Sequence, residues 1–205
     1  MTDAQGNTAG NGGMEALQRF SLKIYADPPD AVAPQAVIPV FHRWIRERVG
    51  SELLIDVADY THLVDGPHVL LVAHEANYAI DGTGGRVGLS YTRKQPAGGS
   101  LADRLSAGMR ALLAAGLRLE QDPEAMPDGR FVFRGDEIAV VANDRLLAPN
   151  TADAAAELRD PVRTFAERLF GSGYAVEPLA GSDRVGFSLK ATTPASLDAL
   201  LSRLQ

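Results

Sequence analysis

Three strand-like segments lie within residues 52–94, and the connections between them are too short to cross over a sheet. ELLIDVADY (52–60), VLLVAHEANYAID (69–81) and RVGLSYTRK (86–94) are separated by stretches containing Asp65-Gly66 and GTGG. A parallel neighbour needs a crossover of a dozen residues or more, so these segments are expected to form an antiparallel meander. RFSLKIYAD (19–27) reads as a further strand, stopped by Pro28-Pro29. The remaining strands are expected as FVFR and EIAVV, joined by a tight turn at Gly135-Asp136, and YAVEPL with DRVGFSLKA near the C-terminus.

The helices follow from apolar spacing. Pro39 suits a first helical turn, with Val40, Phe41, Trp44, Ile45 and Val49 recurring at helical period until Gly50. Ser100 and Asp103 have the spacing of a capping box ahead of a long stripe formed by Leu101, Leu105, Met109, Leu112, Leu113 and Leu117. Asn150 or Thr151 starts another helix. Asp160-Pro161 reads as the cap and first residue of the next one, and Thr193-Pro194 as the opening of a terminal helix. The fold class expected is α+β, a mainly antiparallel sheet with helices packed largely on one side. DRVGFSL echoes GRVGLSY, each followed by a helix, which suggests a weak internal duplication of a hairpin-plus-helix unit. Residues 1–13 are expected as a disordered tail and 14–205 as a single domain, with sub-lobes 14–125 and 128–205.

The totals narrow the function classes. A net charge of -6 opposes phosphate backbones and anionic lipid surfaces, so no nucleic-acid partner is expected. No unbroken apolar run is longer than that of Val69–Ala73, far short of the roughly 20 residues of a spanning helix, so no membrane partner is expected either. With no cysteine there is no disulfide, thiol nucleophile or thiolate zinc site, which suits a reducing cytoplasm.

His74-Glu75-Ala76-Asn77-Tyr78 opens like an HExxH zinc signature but has Tyr78 where the second histidine belongs. If 68–80 is one strand, His68 and His74 stand roughly 20 Å apart at about 3.3 Å per residue and cannot share an ion. Turns centred on Asp65-Gly66 and GTGG place Val57 opposite His74, Asp56 opposite Glu75, and His74 opposite Arg93. These registers gather Leu53, Ile55, Val57, Leu70, Val72, Ala76, Ile80, Val87, Leu89 and Tyr91 on one face. Two polar clusters result. His74 with Asp59 and Arg93 is either a hydrogen-bonded buried histidine or a general base with its orienting carboxylate. Asp56 with Glu75, near Lys94, is either solvated charge or a site for a divalent cation such as Mg²⁺ or Ca²⁺. Lys94 with Gly98, Gly99 and Ser100, at a helix N-terminus, is a candidate anion site, although a plain Ser cap explains it equally well. No G-x-S-x-G elbow occurs. NDRLLAPN (143–150) is a candidate rim for a ligand cleft or a set of turn and cap residues.

IPVFHRWI, LLIDVADY, the His-Glu ahead of a Tyr, Tyr91 with Arg93-Lys94, and NDRLLAPNT together resemble a family of bacterial proteins to which no activity is attached. The likeness covers most of residues 19–191, and it implies a bacterial source and one integrated domain without supplying catalytic residues. The expectation is therefore a cytoplasmic, non-catalytic module that binds a small molecule or a protein partner, as a homodimer. The alternative is a metal-assisted or acid–base hydrolase using Asp56 and Glu75, or His74 and Asp59.

Overall fold

The computed structural model describes residues 13–127 and 130–205. Apart from Gly13, the tail expected over residues 1–13 lies outside the described residues.

Among the described residues eight strands form one antiparallel sheet: β1 (Phe20–Asp27), β2 (Leu54–Asp59), β3 (Pro67–Ala73), β4 (Ala76–Asp81), β5 (Gly88–Arg93), β6 (Val132–Ala142), β7 (Tyr174–Pro178) and β8 (Gly186–Ala191). Their spatial order is β2-β3-β4-β5-β1-β6-β8-β7. The meander expected from short connections is present as β2 to β5. Strand β1 sits between β5 and β6, so the first and second parts of the chain share the sheet.

The helices α1 (Pro34–Glu47), α2 (Leu101–Glu120), α3 (Ala152–Phe170) and α4 (Leu197–Arg203) pack on one face. Phe20, Leu22 and Ile24 of β1, Leu89 and Tyr91 of β5, Ile138 and Val140 of β6, and Phe187 and Leu189 of β8 point into the core beneath them. The capping box of α2 forms as expected: the Ser100 side chain accepts from the Asp103 N–H, and the Asp103 carboxylate accepts from the Ser100 N–H.

Four local readings are corrected. First, VLLVAHEANYAID is two strands, because His74-Glu75 is a tight turn between β3 and β4. The connections before and after this hairpin, 60–66 and 82–87, are also longer than the tight turns expected at Asp65-Gly66 and GTGG, so Val57 pairs with Leu71, Asp56 with Val72, and Ala76 with Arg93. Leu70 and Val72 move off the helix-covered face, while Leu53 and Ile55 are exposed. Second, Gly135-Asp136 makes an irregularity within the long strand β6 instead of a turn. The glycine is needed because a Cβ there would lie 2.0 Å from the carbonyl oxygen of Ala195. Third, α3 runs unbroken through Pro161, and α1 begins five residues before Pro39. The carbonyls that lose their partners belong to Glu157 and Gln35, both exposed, where water can replace the lost bond. Fourth, Ser196 caps α4, accepting from the Ala199 N–H.

The two echoing stretches occupy matched places. GRVGLS enters β5 and DRVGFS enters β8, the strands that flank the central β1–β6 pair. Leu89 pairs with Ile24 of β1 in the first, and Phe187 with Val140 of β6 in the second.

Candidate ligand-binding groove

Among the described residues the opposite face of the sheet carries no helix. Strand alternation puts Ser21, Lys23 and Tyr25 there from β1, Ser90 and Thr92 from β5, Glu137, Ala139 and Val141 from β6, and Ser188 and Lys190 from β8. One cross-strand row reads Ser90, Lys23, Ala139, Ser188, each paired with the next. The small residues of that row form the floor of a groove of about 840 Å³, within the range of small-molecule sites. Its walls come from the turns around Asp65 and Thr83 and from the β7–β8 loop, Leu179 to Arg184.

The groove is polar to its base. Lys23 is 8% exposed, Ser90 7%, Glu137 8% and Ser188 6%, burial that polar groups seldom reach unless they are partnered. Lys23 reaches Asp81 at 3.4 Å and the carbonyl of Thr83 at 3.5 Å. Burial lowers its pKa, and Asp81 opposes that shift only in part. For Asp81, burial works to raise the pKa, but Lys23 and the hydrogen bonds from Thr83 bring it below the ordinary aspartate value.

Arg86 makes a two-pronged pair with Glu137 at 2.9 and 2.8 Å and lies 3.7 Å from the centre of the Tyr25 ring. The Arg86 hydrogen bonds hold the Glu137 carboxyl below its ordinary value. At the other end, Arg184 of the second motif donates to the Asn143 side-chain oxygen at 2.6 Å. The Asn143 amide donates to the Ser21 hydroxyl, which in turn shares a 2.8 Å bond with Thr92. The four groove cations are therefore unequal. Arg86 and Lys190 each have a carboxylate at 2.8 Å, whereas the nearest carboxylates to Lys23 and Arg184 stand at 3.4 and 3.8 Å.

The site residues expected from the sequence lie elsewhere. His74 is exposed in the β3–β4 turn, its N–H donating to the Leu53 carbonyl. Asp59 ends β2, paired with Val69 at the end of β3 away from that turn, and hydrogen bonds from Thr61 lower its pKa. Arg93 is buried on the helix-covered face, donating to the Tyr91 hydroxyl and the Gln95 carbonyl, with Glu75 at 3.7 Å. His74, Asp59 and Arg93 are not brought together.

Asp56 accepts from the Val57 N–H, opposite Val72, while Glu75 sits in the turn, so the proposed carboxylate pair is not formed. Among the described residues no group of three or more His, Cys, Asp or Glu side chains is arranged to hold a metal ion. Lys94 donates to the Ala73 carbonyl. Gly98, Gly99 and Ser100 do lead into α2, but the Ser100 and Leu101 N–H groups donate to the carboxylates of Asp103 and Glu15, and Arg104 donates to the Gly99 carbonyl.

The groove residues carried two signals in sequence. SLKIY alternates polar and apolar around Lys23, and the repeated R-V-G-x-S supplies Arg86 with Ser90 and Arg184 with Ser188. The NDRLLAPN stretch contributes Asn143 to the rim. No family model, curated protein or solved structure matches the chain.

Proposed function

We propose that the open face of the sheet binds a small polar ligand bearing anionic charge, with Lys23 towards one end of the groove and Arg184 at the other as the cations that meet it. The carrying observation is the nearly solvent-free row of Ser90, Lys23 and Ser188 beneath an uncovered groove. Burying an ammonium group opposes folding, and packing alone does not require it. A site that recognises a ligand does require convergent polar groups on a rigid floor. The test is thermal denaturation with panels of small carboxylates, phosphates, neutral polyols and amines, since binding to the native state raises Tm. Carboxylates or phosphates should raise Tm in the wild type and lose the effect in Lys23→Met and Arg184→Ala. Shifts from polyols alone, or shifts that survive both substitutions, would reject the assignment.

A second reading, pairing with another copy of the chain, is favoured by a different observation. Leu53 is 68% exposed and Ile55 52% exposed at the start of the outermost strand β2, and Leu63 and Val64 are exposed in the connection that follows it. The opposite margin, β7, is protected by Pro178, which offers no N–H, and by Glu177 paired with Lys190. Light scattering of Ile55→Lys against the wild type tests it: a dimer that becomes monomeric supports edge pairing, and a monomeric wild type rejects it.

A further inference from the structure

A second cavity lies on the other side of the sheet, between α1, α2 and the β2–β4 strands. It measures about 140 Å³ and is lined by Trp44, Leu54, Leu71 and Tyr78, with Glu52 and Arg118 as its charged members. This is close to the roughly 150 Å³ that admits a benzene-sized guest. Glu52 lies in the α1–β2 connection, and its Oε1 accepts from the Tyr78 hydroxyl at 3.1 Å. Its Oε2 is buried and has no hydrogen-bond partner. An orphaned buried carboxylate oxygen opposes folding unless something donates to it.

Arg118 is on the rim and does not come within salt-bridge distance of Glu52; it also lines the adjoining depression with Glu47, Asp122 and Glu124. The pocket thus combines apolar walls, two aromatic rings and one carboxylate oxygen in need of a donor.

We propose that this pocket binds a short alkylammonium group, its chain against Leu54 and Leu71, its charge on Glu52 and beside the rings of Trp44 and Tyr78. A cation balances the negative charge of the half-buried Glu52 carboxylate and gains from the aromatic faces, whereas a neutral chain leaves that charge unmatched and an anion is repelled by it. The inference does not rest on the groove: the two sites lie on opposite faces of the sheet and share no lining residue.

Trp44 is the chain's one tryptophan, so its fluorescence reports this pocket directly. The experiment titrates the full chain with n-butylammonium, Nα-acetyl-lysinamide, n-butanol and butyrate. A saturable change with either amine is expected, weakened by roughly tenfold or more in Glu52→Gln, with no saturation by butyrate. Binding of n-butylammonium identifies a free amine as sufficient, and binding of Nα-acetyl-lysinamide alone identifies a lysine side chain of a polypeptide. In case Glu52→Gln folds poorly, the wild type supplies its own control: amine affinity falls as pH is lowered and Glu52 takes up a proton. No saturable change with either amine, or an affinity indifferent to Glu52→Gln and to pH, overturns the proposal.

Discussion

Each central strand presents two chemistries, one residue apart. In β8, Phe187 and Leu189 enter the core beneath the helices, while Ser188 and Lys190 face the groove. In β1, Leu22 and Ile24 oppose Lys23 and Tyr25 in the same way. Backbone, hydrogen-bond ladder and strand twist are common to both faces, so the difference between them is a difference of side chains alone. The covered face is shaped by packing, where volume decides stability. On the open face polar groups are buried without forming a core, the pattern of a surface arranged for recognition at some expense in stability.

That contrast is open to direct attack, and the largest effect should fall on the covered face. Phe187→Ala is expected to destabilise by about 3–5 kcal/mol in denaturant unfolding, while its neighbour Ser188→Ala, whose bond to Glu137 is 3.3 Å, should cost about 1 kcal/mol or less. Equal costs would break the comparison. Gly135→Ala should come next, at about 1–3 kcal/mol, because the new methyl group meets the Ala195 carbonyl. A neutral result there would show that β6 can shift at its irregularity.

The sharper test concerns sign. Lys23→Met with Asp81→Asn removes both charges of a mostly buried ion pair while leaving an acceptor for the Thr83 N–H, and replacing a buried ion pair by uncharged residues of similar volume is often neutral or stabilising by about 1–4 kcal/mol. We expect an unchanged or raised Tm together with loss of ligand-induced stabilisation. A fall in Tm would mean that the pair holds the fold together.

The smallest effect is a pH dependence. Glu137 has its pKa depressed in the folded chain, so its contribution is fully present above the ordinary value of 4.5 and is lost as pH falls through the lowered folded value. Arg86 is partly exposed, so the contribution is about 0.2–1 kcal/mol after solvent screening. Wild type and Glu137→Gln should differ at neutral pH and converge in acid; a gap that persists in acid would assign the loss to packing.

Much of the fold was legible. Short connections required antiparallel pairing, and the Ser100–Asp103 spacing required a helix cap, because both are local chemistry. The break at His74-Glu75 was not legible, since neither residue is a turn former by type and apolar residues continue on either side. That missed turn takes His74 and Glu75 off the strand, and the longer connections 60–66 and 82–87 shift the registers on either side; together they separate Asp56 from Glu75 and His74 from Asp59. Gly135-Asp136 misled in the opposite direction: the glycine answers a close approach by Ala195, a contact from a residue sixty positions later. Groove residues such as Lys23 and Glu137 are assembled by pairing between distant strands, and no local pattern announces it. What was visible was the repeated R-V-G-x-S, which reads as a trace of duplication until both copies are seen to border one groove.

The central claim is that the uncovered face is a binding surface, and backbone amide chemical shifts test it most directly. Titration with small carboxylates and phosphates should give saturable perturbations at Lys23, Ser90, Ala139 and Ser188 and along Leu179 to Arg184, and these should vanish in the Lys23→Met, Arg184→Ala double variant. Perturbations confined to the helices, or none at these positions for either class of anion, would contradict the account.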